Sequence, residues 1–120
     1  MDALVLINGA PYGTATPAEA YRTAIGLGGM GVDTAVVLVE DGVWVAVKGH
    51  NPKVIDMQDL SQAFGALNQF DVKLYVLKEA LEERGISENE LIKNDGIITM
   101  EDLKKMIKEA KCVLTFLAGG

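Results

Sequence analysis

The chain is poor in the residues that carry most covalent and metal chemistry: one cysteine, one histidine and one tryptophan among 120 residues. A single thiol excludes an internal disulfide and a cysteine-based zinc site, and it suits a reducing compartment, so the cytoplasm is the expected location. No metal site and no cofactor is expected. Basic residues are also scarce, 11 Lys and Arg against 17 Asp and Glu, for a net charge of −6. They lie mainly in the second half and form no long run, so neither nucleic acid nor an anionic membrane is an expected partner. No stretch approaches the roughly 18 apolar residues that a membrane span needs. Met1-Asp-Ala-Leu-Val5 places no basic segment ahead of an apolar run, so no secretory leader is expected.

What the chain has in plenty is apolar surface. With glycine counted and tyrosine left out, the apolar share is roughly 57%, above the usual 45–50%. A chain this long suffices for one domain with its own core, and the surplus needs a second place to be covered.

Ala3 to Ile7 is apolar without alternation, the pattern of a strand buried on both faces, and is expected to be the first, central strand. After the Asn8 to Thr16 loop, Thr16-Pro17 with Glu19 reads as a helix start, and the helix is expected to run to about Leu27. Gly26-Leu-Gly-Gly-Met-Gly31 superficially resembles a dinucleotide fingerprint, but that motif opens a helix after a strand, and here the glycines close one. A helix cap with a turn is the expected reading. Asn8 and Gly9 do stand between a strand and a helix start, which suits an anion or ligand, but the loop contains no Lys or Arg and an ordinary βα loop is the commoner reading.

Thr34 to Val39 reads as the second strand. Glu40-Asp41-Gly42 between two apolar runs then signals a hairpin, with Val43 to Val47 as a short antiparallel arm carrying Trp44. Ile55 to Leu67 has Met57, Leu60, Phe64 and Leu67 at helical spacing. The third strand, Val72 to Val76, runs almost directly into a helix from Lys78 to Arg84 closed by Gly85. Ser87 and Glu90 suggest a capping box and one helical turn. Ile97-Ile98 is a short fourth strand, and Thr99 with Asp102 caps a helix to about Ala110 with Leu103, Met106 and Ile107 inward. Cys112 to Leu117 is the fifth strand, expected in the core. Strand-then-helix order repeated in this way predicts a three-layer α/β/α domain, flavodoxin-like, with a mainly parallel five-stranded sheet and right-handed crossovers.

These landmarks in this order, with Glu40-Asp-Gly-Val43, the strand running straight into a helix that closes on Arg84-Gly85, and the terminal Val113-Leu-Thr-Phe116, resemble the DsrE/DsrF/DsrH-like family, which includes the Tus sulfur-relay subunits. The resemblance spans nearly the whole chain. It implies a cytoplasmic flavodoxin-like domain that assembles into homo- or hetero-oligomers, with a homo-oligomeric trimer or hexamer expected here, and a sulfur-relay protein as partner. In relay members a cysteine at the end of the third strand carries a persulfide. Aligning on Ala80-Leu81 and Arg84-Gly85 puts that position at about Leu77, and leucine cannot supply a thiolate.

Cys112 is the only thiol, and next to Lys111 it could carry sulfur, but a small buried hydrophobe is the commoner fate of a free cysteine. Lys78 and Glu79 stand at the turn where the reactive thiol would be; they could hold an anion or substrate by charge, or be plain solvated residues at a helix start. His50, beside Lys48 and Asn51, is more often a solvated loop residue than a base. Val43, Trp44 and Val45 form a run apolar on both faces at an expected sheet edge, the pattern of an oligomer interface. These readings lead to an accessory or non-catalytic oligomer that binds a protein partner or a small ligand. The alternative is a sulfurtransferase using Cys112.

Overall fold

The structure is a computed structural model that describes residues 1–10, 16–48 and 55–117, with the side chains of 55–59 outside that description. The strands are β1 (Ala3–Ile7), β2 (Thr34–Leu38), β3 (Val72–Leu77), β4 (Gly96–Ile98) and β5 (Cys112–Phe116). The helices are α1 (Thr16–Gly29), α2 (Ile55–Gly65), α3 (Lys78–Glu83) and α4 (Met100–Glu109). All strand pairs are parallel, in the order β4-β3-β2-β1-β5. The middle strand is thus β2, buried at all five positions, while β1 lies between β2 and β5.

From β1 to β4 each step moves one strand in the same direction, and the last returns to the far side of β1. Right-handed crossovers then put α1, α2 and α3 on one face and α4 on the other, which completes three layers. The first face holds most of the core: Val5, Ile7, Val36, Leu38, Leu74 and Val76 are buried there. Ala20 and Ala24 bring α1 onto it, and Tyr21 meets Phe64 of α2 with ring centroids 5.5 Å apart. On α4 only Leu103 is buried. Ile107, expected inward, is 40% exposed.

The ends of α1 and α3 share one solution. Gly31, at φ +81, follows α1, with Val32 N–H donating to Leu27 O at 3.0 Å and Gly31 N–H to Gly28 O at 3.0 Å. Gly85, at φ +65, follows α3, with Ile86 N–H on Leu81 O and Gly85 N–H on Glu82 O. Both are Schellman closures needing a left-handed residue, so the glycine-rich segment is a helix end, as its position implied.

The expected hairpin arm is absent. Glu40–Ala46 is instead a 3-10 helix, entered through Glu40 at φ 48. An apolar run without alternation does not distinguish a strand from a buried helical turn, and here the turn packs against the end of β1 and against α2. Val43, Val45 and Ala46 are fully buried, and Ser61 of α2 donates to Val45 O at 2.8 Å. Gly42 is a glycine for contact rather than for a hairpin: a Cβ there would overlap the Ile7 carbonyl oxygen and lie 2.9 Å from its carbon. The chain regains sheet-like pairing only at Val47, bridged to Leu91. The Ser87 turn is likewise a 3-10 turn, Glu88–Glu90, without a side-chain cap. At Thr99 the capping box forms, the Thr99 hydroxyl accepting from Asp102 N–H and the Asp102 carboxylate from Thr99 N–H.

Candidate functional site

In an open parallel sheet a ligand crevice forms outside the carboxyl ends of the strands, where the strand order reverses. Here the reversal lies between β1 and β5. At that point the chain leaves β1 through half-buried Asn8 and buried Gly9, and Asn8 N–H donates to Phe116 O at 3.3 Å. The two residues chosen from sequence for their place after the first strand therefore stand at the switch point.

Lys78 and Glu79 leave β3, two strands from β1 or about 9.6 Å across the sheet. Lys78 is exposed. Both Glu79 carboxylate oxygens accept from Met100 N–H, at 3.1 and 2.9 Å, so this side chain serves the start of α4 and joins α3 to it. A carboxylate at a helix N-terminus is favoured by the free N–H groups and the dipole. Sequence reading could not see this, because the partners are 21 residues apart.

Leu77 is buried, 3% exposed, and ends β3 directly before α3. Cys112 overturns its expectation: it is exposed. The reason is topological, since β5 is an edge strand with neighbours on one side only, and an apolar composition does not by itself put a strand in the middle. Cys112 pairs in register with Ala3 at the amino end of the sheet, opposite to the crevice. Its neighbour Lys111 is turned to Asp2, with Nζ 3.2 Å from Oδ1. That contact, with the Asp33 backbone bond behind it, holds the Asp2 carboxyl below its usual value. Val43 and Val45 are enclosed by the chain's own core, and half-buried Trp44 keeps a surface of its own. His50 lies outside the described residues. Among the described residues no group of three or more His, Cys, Asp or Glu is placed to hold a metal ion.

Two described surface grooves lie away from the crevice. One, of about 300 Å³, is bounded by Asn68, Asp71, Val72, Lys73 and Asp95 at the start of β3. The other, of about 370 Å³, runs along Glu101, Lys104, Lys105, Ile107 and Lys108 of α4.

The sequence that folds into this parallel sheet is matched by a family model. The DsrE/DsrF-like family model covers residues 1–116. The chain belongs to this family. The intracellular sulfur oxidation protein DsrF of Allochromatium vinosum is 30% identical over 96 residues, covering 79% of this chain and 68% of that protein. A TusC homolog of Vibrio parahaemolyticus is 24% identical over 112 residues, covering 92% and 95%. The crystal structure of the ychN protein from E. coli superposes with a TM-score of 0.78 at 31% identity, covering 97% of this chain and all of that one. Within the DsrE/DsrF-like frame, the end of β3 offers Leu77, Lys78 and Glu79, none of which has the thiol that a persulfide requires.

Proposed function

We propose that this chain is an accessory, non-catalytic subunit of sulfur metabolism: a cytoplasmic homo-oligomer that binds a protein partner or a small ligand. The observation that carries the reading is the buried Leu77 at the β3–α3 junction. The one thiol lies three strands away at the other end of the sheet, on the order of 20 Å by strand spacing and rise. The sulfur context comes from relatives, one of them named an intracellular sulfur oxidation protein. The test is affinity capture from the native cell, with the captured proteins identified by mass spectrometry. Recovery of a sulfur-carrying protein supports the reading, and its repeated absence counts against it.

One observation favours a second reading. Cys112 is exposed, so a donor persulfide can reach it and the chain could act as a sulfurtransferase. Incubation with a persulfide donor followed by intact-mass measurement decides between the two. Retention of one sulfur atom that disappears in Cys112→Ser selects the enzyme, and an unchanged mass selects the accessory subunit.

A further inference from the structure

The two edges of the sheet are unlike. β4 is three residues long, while β5 offers five, Cys112–Phe116, none of them charged and none proline. Natural edge strands are ordinarily short, charged, bulged, proline-bearing or covered. β5 has none of these devices among the described residues.

The direction of its free groups follows from its bonds to β1. Cys112 N–H donates to Asp2 O at 3.0 Å, and Phe116 O accepts from Asn8 N–H at 3.3 Å, so the even-numbered residues turn their main chain toward β1. Val113 and Thr115 therefore turn N–H and C=O outward. Their side chains share one face of the sheet with Leu117, and all three are exposed, Val113 by 36% and Leu117 by 58%.

We propose that β5 is the contact surface for a second copy of this chain, paired antiparallel about a two-fold axis at Leu114, so that two five-stranded sheets become one. The strand is its own complement. With the axis at Leu114, Val113 faces Thr115 of the second copy, and each such pair exchanges both N–H···O bonds, four in all. Cys112, Leu114 and Phe116 stay on one face and Val113 and Thr115 on the other, so no side chain is forced through the sheet. No charge within the strand repels its copy, and Lys111 at its entrance is already matched by Asp2. The inference rests on the proposed homo-oligomer and goes further, because the contact contains a two-fold. It admits a dimer or a hexamer and excludes a simple trimer.

The test is sedimentation velocity on the unmodified protein, Thr115→Lys and Val113→Pro, with amide hydrogen exchange read at Val113 and Thr115. The lysine places a charge on the open face, and the proline removes an outward N–H that the chain's own sheet does not use. The expected result is a mass that halves in both variants, and slow exchange at both amides of the unmodified protein that becomes fast at Val113 and Thr115 in Thr115→Lys. A monomeric unmodified protein defeats both the oligomer and this contact. An oligomer whose mass both variants keep, or an odd number of copies, defeats this contact alone. If the variants unfold by circular dichroism, exchange in the unmodified protein decides, and fast exchange at the two amides overturns the proposal.

Discussion

Arg84 donates from both Nε and Nη2 to one oxygen of Asp41, at 3.1 and 2.9 Å, across a separation of 43 residues. Its Nη1 bonds Ala80 O at 3.1 Å, which sets the plane of the guanidinium. The pair pins the end of α3 to the 3-10 turn after β2. Asp41 is 61% exposed, so solvent screens the attraction, and the coupling should be about 0.5 kcal/mol. Arg84→Lys loses the fork and should forfeit that coupling. A double-mutant cycle with Asp41→Asn in urea measures it, and a coupling near zero at low salt would refute the link.

Neighbouring glycines of the Gly26–Gly31 segment should respond in opposite directions to alanine. At Gly28 a Cβ would overlap Phe70 O and lie 2.7 Å from Val72 Cγ2, because α1 rides directly on the entrance to β3. At Gly26 nothing lies within 4 Å. Gly28→Ala should therefore destabilise by about 1–3 kcal/mol, and Gly26→Ala should stabilise by about 0.5–1 kcal/mol through helix propensity. Denaturant midpoints of the same sign for the two variants would contradict this packing.

The strands and the four α-helices were legible in the sequence because each bears a local signal: unbroken apolar runs, a Thr-Pro start, two glycine closures and the Thr99–Asp102 box. Boundaries fell within two residues of the observed ones. What failed was long-range. Asp41-Gly42 between apolar runs has the chemistry of a hairpin, but the glycine is needed against Ile7, 35 residues earlier, and no local pattern records that. Cys112–Phe116 has a core composition and an edge position, and only strand order settles which of the two decides exposure. Of the candidate site, Asn8 and Gly9 followed from position after a strand. The engagement of Glu79 by Met100 N–H depended on a tertiary contact.

Acidification should loosen the start of α4. The Asp102 carboxyl is held below its ordinary value of 3.8, first by the Thr99 N–H bond and then by the Thr99 side chain. A group depressed in the folded state adds stability that is full above its unfolded value and lost as pH falls through the folded one. The loss therefore belongs below pH 3.8. The amide shifts of Thr99 and Asp102, the two N–H groups of the box, should follow that titration, and Asp102→Asn should abolish it at Thr99. A transition at these amides centred above pH 5 would count against the capping box as its cause.

Leu77→Cys, made in a Cys112→Ser background, should give a thiol that labels slowly in the native protein and quickly when unfolded. The position is 3% exposed, and burial limits both access and thiolate formation. Prompt native labelling would show that the β3–α3 junction is open enough for relay chemistry, and would weaken the accessory reading.

Trp44 is the only tryptophan, which makes the proposed oligomer visible by its own fluorescence. It is half-buried between fully buried Val43 and Val45, so those two anchor the 3-10 turn while part of the indole stays exposed. If Trp44 lies in a contact between copies, dilution should shift its emission to the red in step with a fall in mass by light scattering. Trp44→Phe should keep the assembly and Trp44→Glu should lower its mass. The glutamate should cost about 1–2 kcal/mol of fold stability, since the core beneath is held by the valines. This contact is separate from the β5 edge, so Thr115→Lys should halve the mass and leave the Trp44 emission unchanged. On dilution of the unmodified protein, an emission maximum that stays constant while the mass falls to that of a monomer would remove Trp44 from the interface.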